Sequence, residues 1–595
     1  MNISSLRILC PLLVAMALLT GCHTDTPQQA DLCILYTTDT HGNICPYDFN
    51  YDHNSEASLA QFATLVREQR SVYGDRCLVF DNGNKMSGSP TAFYYKFVDT
   101  ISQPLCFRAE RLIDYNAVGI GNDDIEIPEI LQPARHDNAQ QPPVLCANLI
   151  YRETGKPVFN PYAIYDRNGI KVAVLGMTAP SGGEWLPRQL WNSYDTEDMI
   201  ECARKWIPLI QQHDHPDVII GLFACSKDYI NTANDYDVET YKNPNGGIPA
   251  AIKVPGFDLI LLGDSGEEYV GHVVNEEGNT VTVVQAGKNC EKAGLVRVHL
   301  RKRSDGTYSK QFFSSLIDLR QYVPDPVFSQ KVRDPQDSIF LWINKPVTYF
   351  KQCLQGNLGL YGPDYHRDLI NTALLWHSRA DVAIMQVTIP NGTIQPGPIL
   401  MRHIFDIYPY HHQMQLLDLT GEEIRRLLEW SYACQFETMH TSSDPLLSLV
   451  KDPFGHVVYD ADGHPTLRYK PTAYISARGI RYQVDISKPA GERVTILSRS
   501  NGTEFDLRKT YRVAFNSSCL SDDDKFISKG LNWDSEELAL HAVPSDLNSI
   551  RKILLDYFTR NDTIDFSDQH DWQVVPTAMW SEARDREERT LDAKW

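Results

Sequence analysis

Four short stretches place oxygen and nitrogen donors directly after apolar runs. They are TTDTHGN with Asp39 and His41, DNGN with Asp81 and Asn84, GNDD with Asn122 and Asp123, and GDSG with Asp264. An Asp and a His separated by one residue at a strand end point the same way and can bite one metal from a single loop. The stretch GNDDIE adds Asp124 and Glu126 to Asp123, making three acids with no Lys or Arg beside them. Two readings are open for it: a solvated loop capping the next element, or a site for a cation.

The elements that must carry these residues follow from hydrophobic pattern. LCILYTT, CLVFDNG, NAVGIGN, KVAVLGM, DVIIGLF and FDLILLG are strand candidates, and LAQFATLVREQR and TEDMIECARKWIPLIQQ show helical three- and four-residue spacing. The alternation predicts layered α/β structure with the donors at the C-terminal edges of strands, where such folds place ligands. The proline-rich stretch YVPDPVFSQKVRDPQDS reads as a link. Beyond it, RDLINTALLW and TGEEIRRLLEWSYACQF read as amphipathic helices, and RYQVDIS, RVTILSR and TYRVAFN as strands.

At 595 residues the chain is too long for one core, so two large domains are expected. A formal net charge of -20 excludes a nucleic-acid polymer as partner, which would require clustered cations. Residues 1–22 read as a lipoprotein signal: one basic residue, a short apolar run, and LTGC, which resembles a lipobox that would lipidate Cys22. Of thirteen cysteines, setting aside Cys10 and Cys22 leaves eleven, an odd number that cannot all pair. Without CxxC or zinc spacing, most read as small buried hydrophobes, as Cys33, Cys77 and Cys146 do.

In order and spacing the blocks resemble the calcineurin-like metallophosphoesterases, specifically the exported 5'-nucleotidase and 2',3'-cyclic-nucleotide phosphodiesterase family. TDTH matches its Asp-x-His motif, DNGN its Asp-x-Gly-Asp, GNDD its Gly-Asn-His-Asp/Glu, DVIIGLFACS its strand ending in His, and FDLILLGDSG its Gly-His-x-His. GPILMRHIFDIYPYHHQMQLLDLTGEEIRRLLEWS and ARGIRYQVDISKPAGERVTIL are similar to its C-terminal domain, so the resemblance spans roughly residues 30 to 560. It implies two metal ions bridged by a carboxylate, which activate a water and neutralise the phosphate. One metal would be held by Asp39, His41, the bridging acid and the second His of Gly-His-x-His. The other would take the bridging acid, Asn122, the strand-end His and the first His of that pair.

The chain departs from this pattern at five positions. Asn84 stands for the bridging Asp, Ala224 for the strand-end His, Asp264 and Gly266 for the two histidines, and Asp123 for the catalytic His. Two dications without the bridging charge would repel. The family's base sandwich is also altered: Tyr410 matches its first aromatic, Ser518 falls at the second, and Asp522, Asp523 and Asp524 replace its glycines. Tyr410 could equally pack against His411 and His412, His41 could be a hydrogen-bonded polar-pocket histidine, and DDDK a solvated loop.

The expected architecture is therefore α/β throughout: an N-terminal four-layer α/β/β/α metallophosphoesterase domain and a C-terminal α/β 5'-nucleotidase-type domain. The boundaries read as 1–22 signal, 23–30 tether, 31–320 first domain, 321–345 linker and 346–580 second domain. The expected function is that of a cell-envelope lipoprotein of this family that has lost ordinary catalysis and binds or scaffolds. Its partner is a small molecule or protein, and it meets the membrane through a lipid anchor. The alternative is a phosphohydrolase with an atypical site. The oxygen donors Asp39, Asn84, Asn122, Asp123 and Asp264, with His41, suit one hard divalent cation such as magnesium, manganese or calcium, not a two-metal centre, with Asp123 as acid or base.

Overall fold

The computed structural model describes residues 28–125, 141–180, 193–227, 246–355, 357–387, 393–410, 412–460, 465–520, 524–546, 548–566 and 570–591. Cys22, Glu126, His411, Asp522 and Asp523 lie outside them. Among the described residues no helix is long and apolar enough to cross a membrane.

The first half builds two facing sheets. In chain order the strands of these two sheets are β1 (Gln29–Thr37), β2 (Cys77–Asp81), β3 (Ala117–Val118), β4 (Tyr162–Arg167), β5 (Ile170–Thr178), β6 (Val218–Ala224), β7 (Leu259–Leu262), β8 (Glu268–Val274), β9 (Thr280–Ala286), β10 (Lys292–Lys302) and β11 (Tyr308–Asp318). One sheet has the order β11-β10-β1-β2-β3 and the other β8-β9-β7-β6-β5-β4. The strands that end at the donor motifs are parallel to their neighbours: β1 with β2, β2 with β3, and β6 with β7. Parallel pairing brings all their C-terminal ends to one edge.

Between the sheets lies an apolar layer that includes Leu32, Ile34, Phe80, Val174, Ile220, Leu261 and Val296. Tyr36 crosses it, and its buried hydroxyl donates to the Val284 carbonyl at 2.8 Å, which satisfies the one polar atom it carries there. Helices Leu59–Tyr73 and Leu105–Ile113 cover the outer face of the first sheet, and Met199–Asp214 and Gly247–Lys253 that of the second. The result is the four-layer α/β/β/α arrangement.

The stretch whose prolines suggested a broken link is an 18-residue helix, Pro326–Ile343. Pro326 occupies its first turn, where no N–H is needed, and Asp325 caps it by accepting from Phe328 N at 2.8 Å. Trp342 on this helix stacks on Phe93, which also meets Phe405 of the second half. One apolar cluster therefore runs from the helical layer of the first half into the second.

The second half centres on a five-stranded sheet that includes Val382–Gln386, Met414–Thr420, Ile475–Arg478 and Thr510–Asn516. Helices Tyr365–Ser378 and Ile550–Arg560 pack on one face and Gly421–Gln435 on the other. The last helix starts with a reciprocal capping box between Thr420 and Glu423.

Candidate functional site

The strand-end loops converge as the sequence predicts, and the backbone bends to allow it. Asp39, His41, Asn84 and Asp264 all have left-handed φ, at 49°, 47°, 56° and 75°. Asp, Asn and His tolerate this region better than other side chains, though each such residue costs on the order of 1 kcal/mol or more. Two glycines let the loops after β2 and β3 interlock: a Cβ on Gly83 would lie 2.3 Å from Gly121 N, and one on Gly121 would lie 1.9 Å from Asn84 Oδ1.

At the centre is the Asn84 carboxamide. Its Nδ2 donates to Asp39 Oδ1 at 2.7 Å and to Asp264 Oδ1 at 3.2 Å, while its Oδ1 accepts from Asp123 N at 3.0 Å. The expectation that Asn84 would offer a carbonyl oxygen to a cation is therefore corrected: the Asp123 amide holds that oxygen and turns the nitrogen toward the carboxylates. Asn122 does likewise, with Nδ2 donating to Asp264 Oδ2 at 3.1 Å. Its own Oδ1 is buried without a hydrogen-bond partner. Asp39 Oδ2 also accepts from Thr38 Oγ1 at 2.7 Å and Asp264 N at 2.8 Å.

Asp123 and His41 stand at the open side. Ser87 Oγ donates to Asp123 Oδ2 at 2.6 Å, and His41 Nε2 lies 3.8 Å from the same oxygen. His41 Nδ1 meets Asn289 Oδ1 at 3.0 Å, and Asn289 N donates to the Asp39 carbonyl at 2.8 Å. Asp264 is pushed up to about 8, first by burial and then by the charges of Asp39 and Asp123; burial likewise raises Asp39 above the usual carboxylate range. Near neutrality this cluster holds a proton as well as two bridging amides.

The fit to a two-metal centre fails on these observations. The bridging position presents N–H groups, and Ala224 at the end of β6 has no donor. Gly266 has none either, and the described residues contain no group of three or more acidic, His or Cys side chains arranged to hold a metal.

Beneath the site sits a charge cluster that the sequence reading missed. Asp124 is completely buried and accepts from the backbone N–H groups of Asn84, Lys85, Met86 and Gly121 at 2.7 to 3.1 Å. This answers the question that GNDDIE raised for one of its acids: Asp124 holds the Asn84 loop in shape. Lys85 Nζ and Glu110 Oε1, both buried, pair at 2.7 Å. Burial works against the Lys85 ammonium, and Glu110, Asp124 and Asp81 overcome it, holding it above the ordinary lysine range. Asp81 itself is pushed up to about 7 by burial. The signal was Glu110 lying in the apolar stripe of its helix, with Leu105, Cys106, Ala109 and Ile113.

In the second half Tyr410 is half-buried, and its ring lies parallel to that of His412 at 5.2 Å. Ser518, at the expected second aromatic position, accepts from Gln386 Nε2 at 3.3 Å. Asp524 is tied down rather than free, accepting from Thr472 Oγ1 at 3.1 Å. Arg551 joins the halves: fully buried, it donates to the carbonyls of Tyr408 and, across the interface, Gly88, each at 2.8 Å, and to that of Pro409. Gly88 follows Ser87, so this contact reaches the edge of the carboxylate cluster.

Residues 362–529 match the family model of the 5'-nucleotidase C-terminal domain. Residues 362–529 thus form a 5'-nucleotidase C-terminal domain, and the chain as a whole is similar to nucleotidases and nucleotide phosphodiesterases. It is 22% identical to a trifunctional nucleotide phosphoesterase of Bacillus subtilis over 96% of this chain, of whose length it spans 41%. It is 24% identical to a 5'-nucleotidase of Vibrio vulnificus, covering 69% of this chain and 78% of that one. Among solved structures, a Staphylococcus aureus protein assigned to the 5'-nucleotidases superposes with TM-score 0.68 at 19% identity, over 92% of this chain and 100% of that one. A 5'-nucleotidase precursor from Thermus thermophilus superposes with TM-score 0.56 at 19% identity and the same coverage. These likenesses carry the fold: a metallophosphoesterase domain followed by a 5'-nucleotidase domain.

Proposed function

We propose that this protein is a catalytically silent member of the 5'-nucleotidase family, exported to the bacterial cell envelope and anchored there through a lipid on Cys22, where it binds or scaffolds a small molecule or protein. The observation that carries the reading is the Asn84 carboxamide. Where the family uses a bridging carboxylate between two metals, two N–H groups here satisfy Asp39 and Asp264 directly, so the carboxylates need no cation to relieve their repulsion. The general-acid position carries Asp123, bound by Ser87. Relatives named as nucleotidases and nucleotide phosphodiesterases point to phosphate esters of nucleosides as the compounds to test. Tyr410 stands where the family stacks a base, with one face taken by His412.

A second reading rests on one atom. Asn122 Oδ1, buried beside Asp264 and unpartnered, is free to turn toward a single hard cation with Asp39 and Asp264, leaving Asp123 as acid or base on a phosphate ester. One experiment separates the two. Purified mature protein is assayed with nucleoside monophosphates and 2',3'-cyclic nucleotides in magnesium, manganese, calcium or zinc, beside Asp39→Ala. The first reading expects equal, background rates and no metal on elemental analysis. Metal-dependent turnover that disappears in Asp39→Ala overturns it and selects the second.

A further inference from the structure

Cys33 and Cys77 occupy facing positions in the parallel ladder of β1 and β2. Both belong to the apolar cluster on the side of that sheet covered by helix Leu59–Tyr73, so their side chains leave the sheet on one face. Cys33 Sγ lies 3.9 Å from Gln69 Oε1 of the covering helix. Neighbouring strands run ~4.8 Å apart, inside the range of Cα separations that a disulfide spans. Among the described residues no other two cysteines face each other in a strand register.

We propose that Cys33 and Cys77 become joined by a disulfide when the chain folds in contact with a disulfide oxidant. The step is thiol–disulfide exchange. The Cys77 thiolate attacks one sulfur of the oxidant, forming a mixed disulfide and releasing one oxidant thiol. The Cys33 thiolate then attacks Cys77 Sγ and expels the second. Two protein thiols are oxidised, one oxidant disulfide is reduced to two thiols, and the two protons leave with them. The exchange is symmetric in the two sulfurs, so Cys33 can equally make the first attack and Cys77 resolve the mixed disulfide.

Cys33 is fully buried and Cys77 is 4% exposed, so the reaction belongs to folding, before helix Leu59–Tyr73 closes over the sheet. The bond would enclose residues 33 to 77, a segment that carries Asp39 and His41. It would also pin the ladder whose far end, at the Thr37 and Asp81 pair, leads into Asp39 and Asn84. A direct link between in-register parallel strands is strained and therefore readily reduced, which makes it a redox-labile staple below the site.

The test uses the full mature chain, refolded in a reduced and oxidised glutathione mixture and then alkylated in denaturant before and after reduction. Peptide mapping by mass spectrometry is expected to find residues 33 and 77 in one cross-linked peptide, lighter than the reduced pair by two hydrogens. Dithiothreitol should lower the melting temperature of the wild type and leave that of Cys33→Ala unchanged. Direct alkylation of both Cys33 and Cys77 without reduction, or a link from either to another cysteine, overturns the proposal whatever the variant does.

Discussion

Replacing Asp264 with Asn should make the protein more stable in alkaline solution, and the reason lies in where the proton sits. Asp264 starts from 3.8 in the unfolded chain and is raised to about 8 in the fold by burial and by Asp39 and Asp123. A raised folded value means that the native state holds a proton the unfolded chain has released. The stability contributed by this group is fully present below pH 3.8, falls across the interval, and is lost above about pH 8. Four pH units correspond to an upper limit of about 5 kcal/mol; Asp264 is only part-buried, so solvent screening brings the working figure to about 3 kcal/mol.

The Asn side chain has no proton to lose and nearly the same shape. Its oxygen can keep the bond from Asn84 Nδ2, and its new N–H can meet Asn122 Oδ1, which has no partner now, once the Asn122 amide turns over. The assay is thermal melting of wild type and Asp264→Asn from pH 5 to 9 with a chelator present. The gap between the two should widen from pH 5 to about pH 8, the variant gaining roughly 4 °C over that span, since about 2 of the ~3 kcal/mol lies above pH 5. Parallel pH profiles, or a variant less stable at pH 9, would refute the reasoning, because Asp264 would then be ionised at little cost.

Three further outcomes are expected. Magnesium, manganese and calcium should leave the wild-type melting temperature unchanged, since the Asn84 amide already bridges the carboxylates; a saturable rise would show a bound cation. Lys85→Met should cost about 3–5 kcal/mol by urea unfolding because it strands the buried Glu110 charge, and Lys85→Met with Glu110→Leu should recover most of the loss. Arg551→Leu leaves three carbonyls without their donor and should cost about 3 kcal/mol, with faster amide exchange at Ser89 and Ala92 than at β1 as the sign that the interface has loosened.

How much of this was legible depended on whether the determinant was local. Apolar runs ending in Asp, Asn or His announce strand ends, and alternate spacing puts Asp39 and His41 in one loop, so the residues that meet in the cluster could be named from the chain alone. Asp and Asn also suit the left-handed turns that the loops require, which ties the motif's residue types to its backbone. Tyr410 and His412 lie ring against ring, the packing that the sequence left open for Tyr410. The helix Pro326–Ile343 was legible too but misread: Asp325 followed by Pro326 is a cap and first turn, a start signal rather than a break.

What escaped the sequence was the direction in which side chains spend their hydrogen bonds. Nothing in DNGN says whether Asn84 aims its oxygen or its nitrogen at Asp39; that is decided by the Asp123 amide, 39 residues away. Asp123 and Asp124 are adjacent and chemically identical, yet one faces Ser87 at the open side while the other is sealed beneath the loop by four backbone amides. The two facts are connected. Asp124 fixes the path of residues 84 to 86, that path places Asn84 Oδ1 against Asp123 N, and the bond so formed leaves only the carboxamide nitrogen to face Asp39 and Asp264. The loss of a bridging charge at residue 84 is thus locked in by a carboxylate that never touches the site, and substituting residue 84 alone would leave that frame in place.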